Sequence, residues 1–213
     1  MQNIFQGSRE FARRHELDAL APTRAAVAAP AQLGELGELA AIAKKEIPGV
    51  RISETALEQF WKHDQHSIFA FRSGANLLGG IAFLYLNSSG MDALLLDEID
   101  LTQPSREYLA GAGEEVEAIY VWALAARGRG AVAIANVARF LRGPRFVSAD
   151  YYAQPSSRDG RALLVTLGFK PIASFQPDLW CYQRPWNRVP SAMQSTHVSV
   201  QRSLTRSVAD ARH

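Results

Sequence analysis

The first third of the chain contains two segments in which apolar residues recur at helical spacing. One runs from Leu33 to Ala43 and stops at Pro48-Gly49, so we predict a helix that ends before this turn. The other follows Ser53, whose side chain can accept hydrogen bonds from the free amides of a helix start. A short apolar stretch from Thr23 to Ala28 predicts a strand ahead of both helices.

Two extended segments follow these helices. Ser67 to Arg72 and Leu77 to Leu86 are rich in apolar and aromatic residues, and Ser73-Gly74-Ala75-Asn76 separates them. Such runs around a short turn that contains glycine predict a β-hairpin. Residues 87–113 mix an apolar run, an acidic group and a loop, and their pattern assigns no element.

Strands and helices alternate in the second half of the chain. The predicted strands are 114–124, 146–152, 169–175 and 179–183, and the predicted helices are 131–141 and 157–167. Alternation that follows hairpins is typical of an α/β fold. We therefore expect an α/β fold with a mixed central sheet.

A glycine-rich segment, Arg127-Gly128-Arg129-Gly130-Ala131, lies between the strand-like run 118–122 and the predicted helix that follows. Glycines at such a turn let backbone amides approach a ligand, and the start of the helix adds a partial positive charge. The two guanidinium groups complete an anion-binding arrangement. Phosphate or pyrophosphate is the ligand that this pattern favours.

Other interpretations of the same glycines remain open. Gly128, Gly130 and Ala133 also fit the dinucleotide-binding pattern G-x-G-x-x-A, with Asp150 about twenty residues further on. That pattern normally opens a parallel βαβ unit, whereas antiparallel elements come first here. The missing Gly-Lys-Ser/Thr excludes a P-loop. A plain tight turn with solvated arginines is the remaining alternative.

Composition and charge limit the class of protein. The 213 residues are 47% hydrophobic, which is sufficient for one globular domain. We expect that domain at 22–186, between an N-terminal extension, 1–21, and a polar C-terminal tail, 187–213. Twenty-three basic and twenty-one acidic residues leave a formal net charge of +2, which argues against a nucleic-acid-binding protein.

The sequence also indicates a cytoplasmic protein without membrane association. The first twenty residues are too charged for a signal peptide, and no apolar run is long enough to cross a bilayer. A single cysteine, Cys181, fits a reducing compartment. His63 and His66 lie close in sequence, but no third ligand is near them, so we expect no metal site.

The order of elements and two short motifs resemble the GNAT superfamily of acyl-CoA-dependent N-acyltransferases. The loop of that family reads Gln or Arg, two residues, Gly, one residue, then Gly or Ala; Arg127 and Gly130 fit it, and Val132 departs from its last position. Leu167-Gly168-Phe169 matches the turn that leaves the family's fourth helix. The resemblance implies a GNAT-like mixed sheet flanked by helices on both faces. It also implies acetyl-CoA, or another acyl-CoA, as co-substrate.

The resemblance implies that the cofactor contacts the end of the predicted strand 114–124 and the glycine-rich loop that follows it. The implied cofactor-binding residues are Trp122, Ala123, Leu124, Arg127, Gly128, Arg129, Gly130, Ala131 and Val132.

One departure from the family concerns the proton donor. Many members have a tyrosine that can protonate the departing CoA thiolate, and this chain has Leu164 at that position. Tyr151 and Tyr152, at the end of the preceding strand, are the candidates to replace it, and strand alternation sends their rings to opposite faces. Glu117 is the candidate to accept the proton of the amine, since alternation places it on the face of Ile119 and Val121.

Two function classes follow from the resemblance. The first is an N-acyltransferase, an N-acetyltransferase in the simplest case, that moves the acyl group of an acyl-CoA to a small-molecule or peptide amine. The second is a non-catalytic CoA-binding protein with a sensing or assembly role, which the missing tyrosine favours. A homodimer is compatible with either class.

Overall fold

The computed structural model describes residues 25–50 and 52–184. The predicted extension 1–21, the tail 187–213 and residues 23 and 24 of the first predicted strand lie outside these ranges. The strands are β1 (Val27–Pro30), β2 (Ile68–Ser73), β3 (Asn76–Leu86), β4 (Ala118–Ala126), β5 (Asp150–Ala153), β6 (Lys170–Pro171) and β7 (Trp180–Tyr182). The α-helices are α1 (Leu36–Glu46), α2 (Glu54–His63), α3 (Ser88–Leu95), α4 (Ile134–Phe140) and α5 (Arg158–Thr166).

The described strands form one seven-stranded sheet in the order β1-β2-β3-β4-β5-β7-β6. Neighbouring strands are antiparallel except β4 and β5, which pair in parallel from Ala118↔Asp150 to Val121↔Ala153. A parallel pair requires a crossover connection, and the segment that contains α4 provides it. The predicted mixed α/β sheet is confirmed.

Helices cover both faces of this sheet, three on one and two on the other. The three-helix face carries α1, α2 and α3, which pack on Ala70, Leu84 and Tyr120 among other residues. The two-helix face carries α4 and α5, which pack on Phe83, Ile119 and Ala153 among others. Because side chains alternate along a strand, β4 contributes Ile119 and Val121 to the two-helix face and Ala118 and Tyr120 to the other.

The helix α3 occupies part of the segment to which the sequence pattern assigned no element. Asn87 caps it: its side-chain oxygen accepts from the Gly90 amide at 2.9 Å. Ala93 and Leu94 are buried against the sheet, with 3% and 0% of their surface exposed. The helix is only eight residues long, so its apolar side is too short to show a clear period.

Several predicted boundaries are wrong by a few residues. The predicted strand 114–124 begins only at Ala118, because the Glu114 carboxylate accepts from the Gly111 amide at 2.6 Å and closes a turn. The predicted strand 146–152 begins only at Asp150, since Pro144 starts a 3-10 turn through the buried Phe146. The predicted strand 169–175 is reduced to the two residues of β6.

The glycine-rich segment is more helical than predicted. Gly128–Ala133 form a 3-10 helix that continues into α4, so helical backbone begins three residues before the expected start at 131. Short 3-10 turns often begin an α-helix. Within the described ranges, no helix is long and apolar enough to span a bilayer.

Candidate functional site

The two parallel strands separate at the middle of β4. Up to Val121, β4 pairs with β5 on one edge and with β3 on the other, but β5 ends at Ala153. From Trp122 to Ala126, β4 pairs only with β3 among the described strands. This half of β4 therefore presents backbone amides and carbonyls on one edge to the opening between the strands.

A β-bulge lies at the point of separation. Phe83 pairs with Val121 and Ala82 pairs with Ala123, so Trp122 is the extra residue on β4. Its indole Nε1 donates to the Leu101 carbonyl at 2.6 Å, and its ring meets that of Phe60 edge to face. Bulges commonly re-aim a strand next to a functional site, and this one redirects β4 at the three residues that the resemblance assigns to the cofactor.

The free edge of β4 leads into the glycine-rich turn. Gly128 has φ of +53°, a left-handed backbone that glycine adopts without strain. Among the described residues, the amides of Gly128 and Arg129 have no hydrogen-bond acceptor, as expected for the first turn of a helix. Two free amides at a helix start form a site suited to an anion.

Gly130 lets this turn approach the sheet closely. It is buried, and a Cβ added to it would lie 3.3 Å from Leu78 Cβ and 3.4 Å from Ala126 Cβ. The glycine therefore lets the turn pack closely against β3 and β4.

The two arginines of the turn differ in their partners. Arg127 Nε donates to Glu46 Oε1 at 2.8 Å, and both side chains are largely accessible to solvent. Arg129 is exposed, and its side chain makes no ion pair with the described residues. Arg129 is therefore the more available cation beside the free amides.

A cavity of about 670 Å³ opens on the two-helix face beside these features. Its walls are α4, the floor of the sheet and the turn that leaves α5. The apolar part of the lining comprises Ile81, Phe83, Val121, Ile134, Val137 and Phe169, among others. Val121 is the last residue of β4 that pairs with β5, so the cavity reaches the place where the strands part.

Tyr151 lines this cavity from β5. Its Oη accepts from Arg184 Nη2 at 2.6 Å, and the guanidinium carbon lies 5.1 Å from the ring centroid. Burial raises the pKa of Tyr151, and the charge of Arg184 opposes that rise. Because the oxygen already accepts from Arg184, its own proton is available to another acceptor in the cavity.

Tyr152 lies on the opposite face of the sheet, as strand alternation predicts. It is 7% exposed and belongs to the core beneath α3. Burial raises the pKa of Tyr152, and burial also raises the pKa of the neighbouring Cys181 thiol to about 11. The structure therefore places only one of the two candidate tyrosines in the cavity.

Glu117 and Leu164 are both outside the cavity lining. Glu117 is exposed and immediately precedes β4; its amide donates to the Leu86 carbonyl at 2.9 Å. After burial, its negative charge is one of the smaller causes of the raised pKa of Tyr152. Leu164 is buried against Ala153 and Trp180, so it closes the core beyond the end of β5.

The histidine pair has structural contacts. His63 Nε2 lies 3.1 Å from the Ala110 carbonyl, and the ring of His66 stacks on Phe140. Asp64, between them, is buried and paired with Arg145 Nη1 at 2.5 Å. Across the described residues, no group of three potential metal ligands comes together.

Two cavity residues lie beyond the motifs of the sequence. Arg142 follows α4 and Arg184 follows β7, and both line the same end of the cavity. Neither belongs to a recognisable motif, and 42 positions of chain separate them. Only the pairing of β7 with β5 brings Arg184 beside the end of α4.

No protein-family model and no curated protein matches the chain. Among solved structures, Ard1 from Thermoplasma volcanium is 13% identical, with a TM-score of 0.47 over 75% of this chain and 97% of that one. Naa50 from Arabidopsis thaliana, solved with the bisubstrate analogue CoA-Ac-MVNAL, is 11% identical, with a TM-score of 0.45 over 74% and 95%.

A third structure, apo FdhC, described as a nucleotide-linked sugar GNAT, is 7% identical, with a TM-score of 0.45 over 76% of this chain and 88% of that one. The described part of this chain forms a mixed sheet with helices on both faces and one parallel strand pair that separates. At these identities the likeness concerns the fold alone.

Proposed function

We propose that this protein is an acyl-CoA-dependent N-acyltransferase that moves an acetyl group from acetyl-CoA to an amine. The observation that carries the proposal is the second half of β4, whose edge beyond β5 pairs with no other described strand and which runs directly into a turn with two free amides. The strand edge offers hydrogen bonds to an extended, amide-containing chain, and the turn offers an anion site at its end. Pantetheine followed by pyrophosphate has this sequence of chemical groups.

The cofactor contacts follow from this placement. The pantetheine amides would pair with backbone groups of Trp122, Ala123 and Leu124, and the pyrophosphate would be held by the turn from Arg127 to Val132. Within the turn, the amides of Gly128 and Arg129 and the guanidinium of Arg129 are the donors with no other acceptor among the described residues. The departure at Val132 removes no amide, and its side chain is 66% exposed.

The thioester would then lie where β4 and β5 part, within reach of Tyr151. In the transfer, the amine nitrogen attacks the thioester carbonyl, the carbon–sulfur bond breaks, and the sulfur takes a proton. Tyr151 is the proposed donor, because its hydroxyl lines the cavity and Arg184 would stabilise the phenolate that remains. Tyr152 belongs to the core on the opposite face, so we do not assign it this role.

The amine must lose a proton in the same reaction. Glu117 remains the proposed acceptor, and its exposed position outside the cavity requires at least one intervening water.

Calorimetric titration with acetyl-CoA tests the cofactor site. We expect the R129A variant to bind acetyl-CoA about tenfold or more weakly than wild type, because one charge-assisted hydrogen bond is lost. The matched control is R106A, which removes an exposed arginine from a different 3-10 turn, Arg106–Tyr108. Equal affinity of wild type and R129A would remove the turn from the cofactor site.

The same titration with NAD tests the dinucleotide alternative. The turn offers no carboxylate for a ribose hydroxyl, and Glu46, the acid beside it, is paired with Arg127. We therefore expect NAD to bind more weakly than acetyl-CoA. Tighter binding of NAD would replace the proposed function with dinucleotide binding.

A non-catalytic CoA-binding protein is the second candidate, and Leu164 favours it. The residue is 8% exposed and packs in the core, so it cannot donate a proton. Acetyl transfer to a broad panel of amines separates the two candidates. Tight acetyl-CoA binding without transfer to any amine would favour sensing or assembly.

A further inference from the structure

One end of the cavity on the two-helix face carries two guanidinium groups. Arg142, just after α4, is exposed at the rim, and Arg184, just after β7, is buried at the base. The rest of the lining is mainly apolar. The cavity thus has a hydrophobic body and a cationic end.

Arg184 is buried without a carboxylate on its guanidinium. The residue is 6% exposed, and Nε donates to the Ala149 carbonyl at 3.0 Å. Nη2 donates to the Leu141 carbonyl and to Tyr151 Oη, each at 2.6 Å. Asp150 accepts from the backbone amide of Arg184, at 2.8 Å, and no ion pair among the described residues includes the guanidinium.

A buried cation of this kind calls for a negative partner. Taking a guanidinium out of water is costly, and neutral oxygens compensate only part of that cost. Another half-buried arginine of this protein, Arg72, donates to both carboxylate oxygens of Glu35. Arg184 instead borders an open cavity, so a ligand can supply the missing charge.

The cationic end lies at a definite distance from the point where β4 and β5 part. Ile134 begins the α4 wall and Arg142 lies two residues beyond the end of α4, whose seven residues span roughly 10 Å. Ala149, whose carbonyl accepts from Arg184, immediately precedes β5. It is four residues from Ala153 at the end of β5, which is roughly 13 Å of extended chain. An occupant that reaches from one end to the other must be an extended chain.

We infer that this cavity binds an apolar chain that ends in a carboxylate, with the carboxylate between Arg184 and Arg142 and the chain along α4. Arg184 is preorganised by Tyr151 and by the two backbone carbonyls, whereas exposed Arg142 can close over the carboxylate from the rim. The inference stands on the cavity and its charges and does not require the proposed function.

Two sources share this chemistry. A free fatty acid would fill the cavity by itself, with no connection to the turn at Gly128. An acyl group with a terminal carboxylate, attached to CoA, would begin where β4 and β5 part and end at Arg184. Because Tyr151 contacts Arg184, such an acyl group would require a proton donor other than Tyr151 for the CoA sulfur. The second source would make the cavity the determinant of acyl specificity in the proposed transferase.

Calorimetry with decanoate and decanol at neutral pH tests the cationic end, because the two ligands differ mainly in their head group. We expect wild type to bind decanoate at least about tenfold more tightly than decanol, as a charge-assisted contact would give. The R142A and R184Q variants should each lose most of this preference. The control R139A removes an exposed arginine of the same helix that does not line the cavity, and it should keep the preference.

Two results would contradict a carboxylate site at this end of the cavity. Equal binding of decanoate and decanol by wild type, or a preference for decanoate that survives in R142A and in R184Q, would overturn the inference. Because R184Q removes three hydrogen bonds, its folding is checked by circular dichroism, and R142A tests the site without that risk. No measurable binding of either ligand would also overturn it.

Decanoyl-CoA and sebacoyl-CoA, which differ by a terminal carboxylate, identify the source. Tighter binding of sebacoyl-CoA that disappears in R142A would assign the cavity to the acyl group. Equal binding of the two thioesters, with decanoate still preferred over decanol, would assign it to a free acid. Binding of decanoate without binding of any acyl-CoA would reject the proposed transferase and leave the carboxylate site in place.

Discussion

The two faces of the sheet are packed in different ways. On the three-helix face, α1, α2 and α3 bury nearly continuous apolar surface, and the cavity under α1 has a volume of only about 30 Å³. On the two-helix face, α4 and the turn after α5 leave a cavity of about 670 Å³. Both faces belong to the same strands, so the difference comes from the helices and not from the sheet.

Because of this difference, one face mainly stabilises the fold and the other leaves space for a ligand. On a closely packed face every buried methylene stabilises the folded protein, and removing one lowers the free energy of unfolding. A face with a large cavity gives up part of that gain and keeps room for a ligand. Substitutions of the same type on the two faces should therefore have different effects.

The largest expected difference concerns two leucines. Leu94 of α3 is 0% exposed, and L94A should lower the free energy of unfolding by about 2–5 kcal/mol. Leu167, at the cavity rim after α5, is 42% exposed, and L167A should cost less than about 1 kcal/mol. Urea denaturation of both variants measures the contrast, and equal losses would show that the rim is as closely packed as the core.

The next comparison uses the two tyrosines of β5. Y151F should reduce acetyl transfer about 100-fold, because the proposed proton donor on the cavity side is removed. Y152F should leave the rate close to that of wild type, since Tyr152 is in the opposite core. Steady-state kinetics with one accepted amine decides this, and a larger loss in Y152F would move the chemistry to the three-helix face.

The pH profile adds a check on Tyr151. Burial raises the pKa of Tyr151 above its ordinary value of about 10, so it stays protonated through neutral and mildly alkaline pH. Transfer by wild type should therefore show no loss from this group below about pH 10.

Enlarging an alanine tests how full each face is. Ala93 of α3 is 3% exposed, and A93L should destabilise the protein by about 1–3 kcal/mol through overpacking. Ala138 of α4 is exposed at the cavity, and A138L should change stability by less than about 0.5 kcal/mol. Thermal unfolding compares them, and a similar cost at both positions would mean that the cavity cannot accept added volume.

The smallest effect is expected at the pair of Glu35 and Arg72. The hydrogen bond from Arg72 holds the pKa of Glu35 below its ordinary value, against the opposing effect of burial. The pair stabilises the protein fully above the unfolded pKa of about 4.5, and this contribution is lost as pH falls through the lower folded pKa. E35Q should flatten the acid side of the stability profile, and an unchanged profile would show that the pair contributes nothing.

Much of the local structure could be predicted from the chain because its signals are local. Ser53 accepts from the Ala56 amide at 3.1 Å as a helix cap, and Gly168 takes φ of +87° at the end of α5. The hairpin of β2 and β3 closes at Ser73↔Asn76, across the predicted turn. The placement of the two tyrosines on opposite faces likewise required only the alternation of a strand.

Other features could not be read from local pattern. The bulge at Trp122 depends on the register of β4 against β3. The free edge in the second half of β4 depends on where β5 ends. Glu117 was predicted within a strand that in fact begins one residue later, so alternation did not fix its surroundings. The bulge, the free strand edge and the start of β4 all depend on how segments that are distant in sequence pair with each other.

The sequence by itself determined the mixed α/β sheet and the glycine-rich turn before α4. Periodicity, caps and turn residues act over a few positions, so each of these follows from neighbours in the chain. Only the tertiary structure decided that Arg184 and Arg142 share one end of a cavity with Tyr151. Strand pairing between β5 and β7 makes that contact, and the free energy of burying a charge depends on everything around it rather than on its neighbours in sequence.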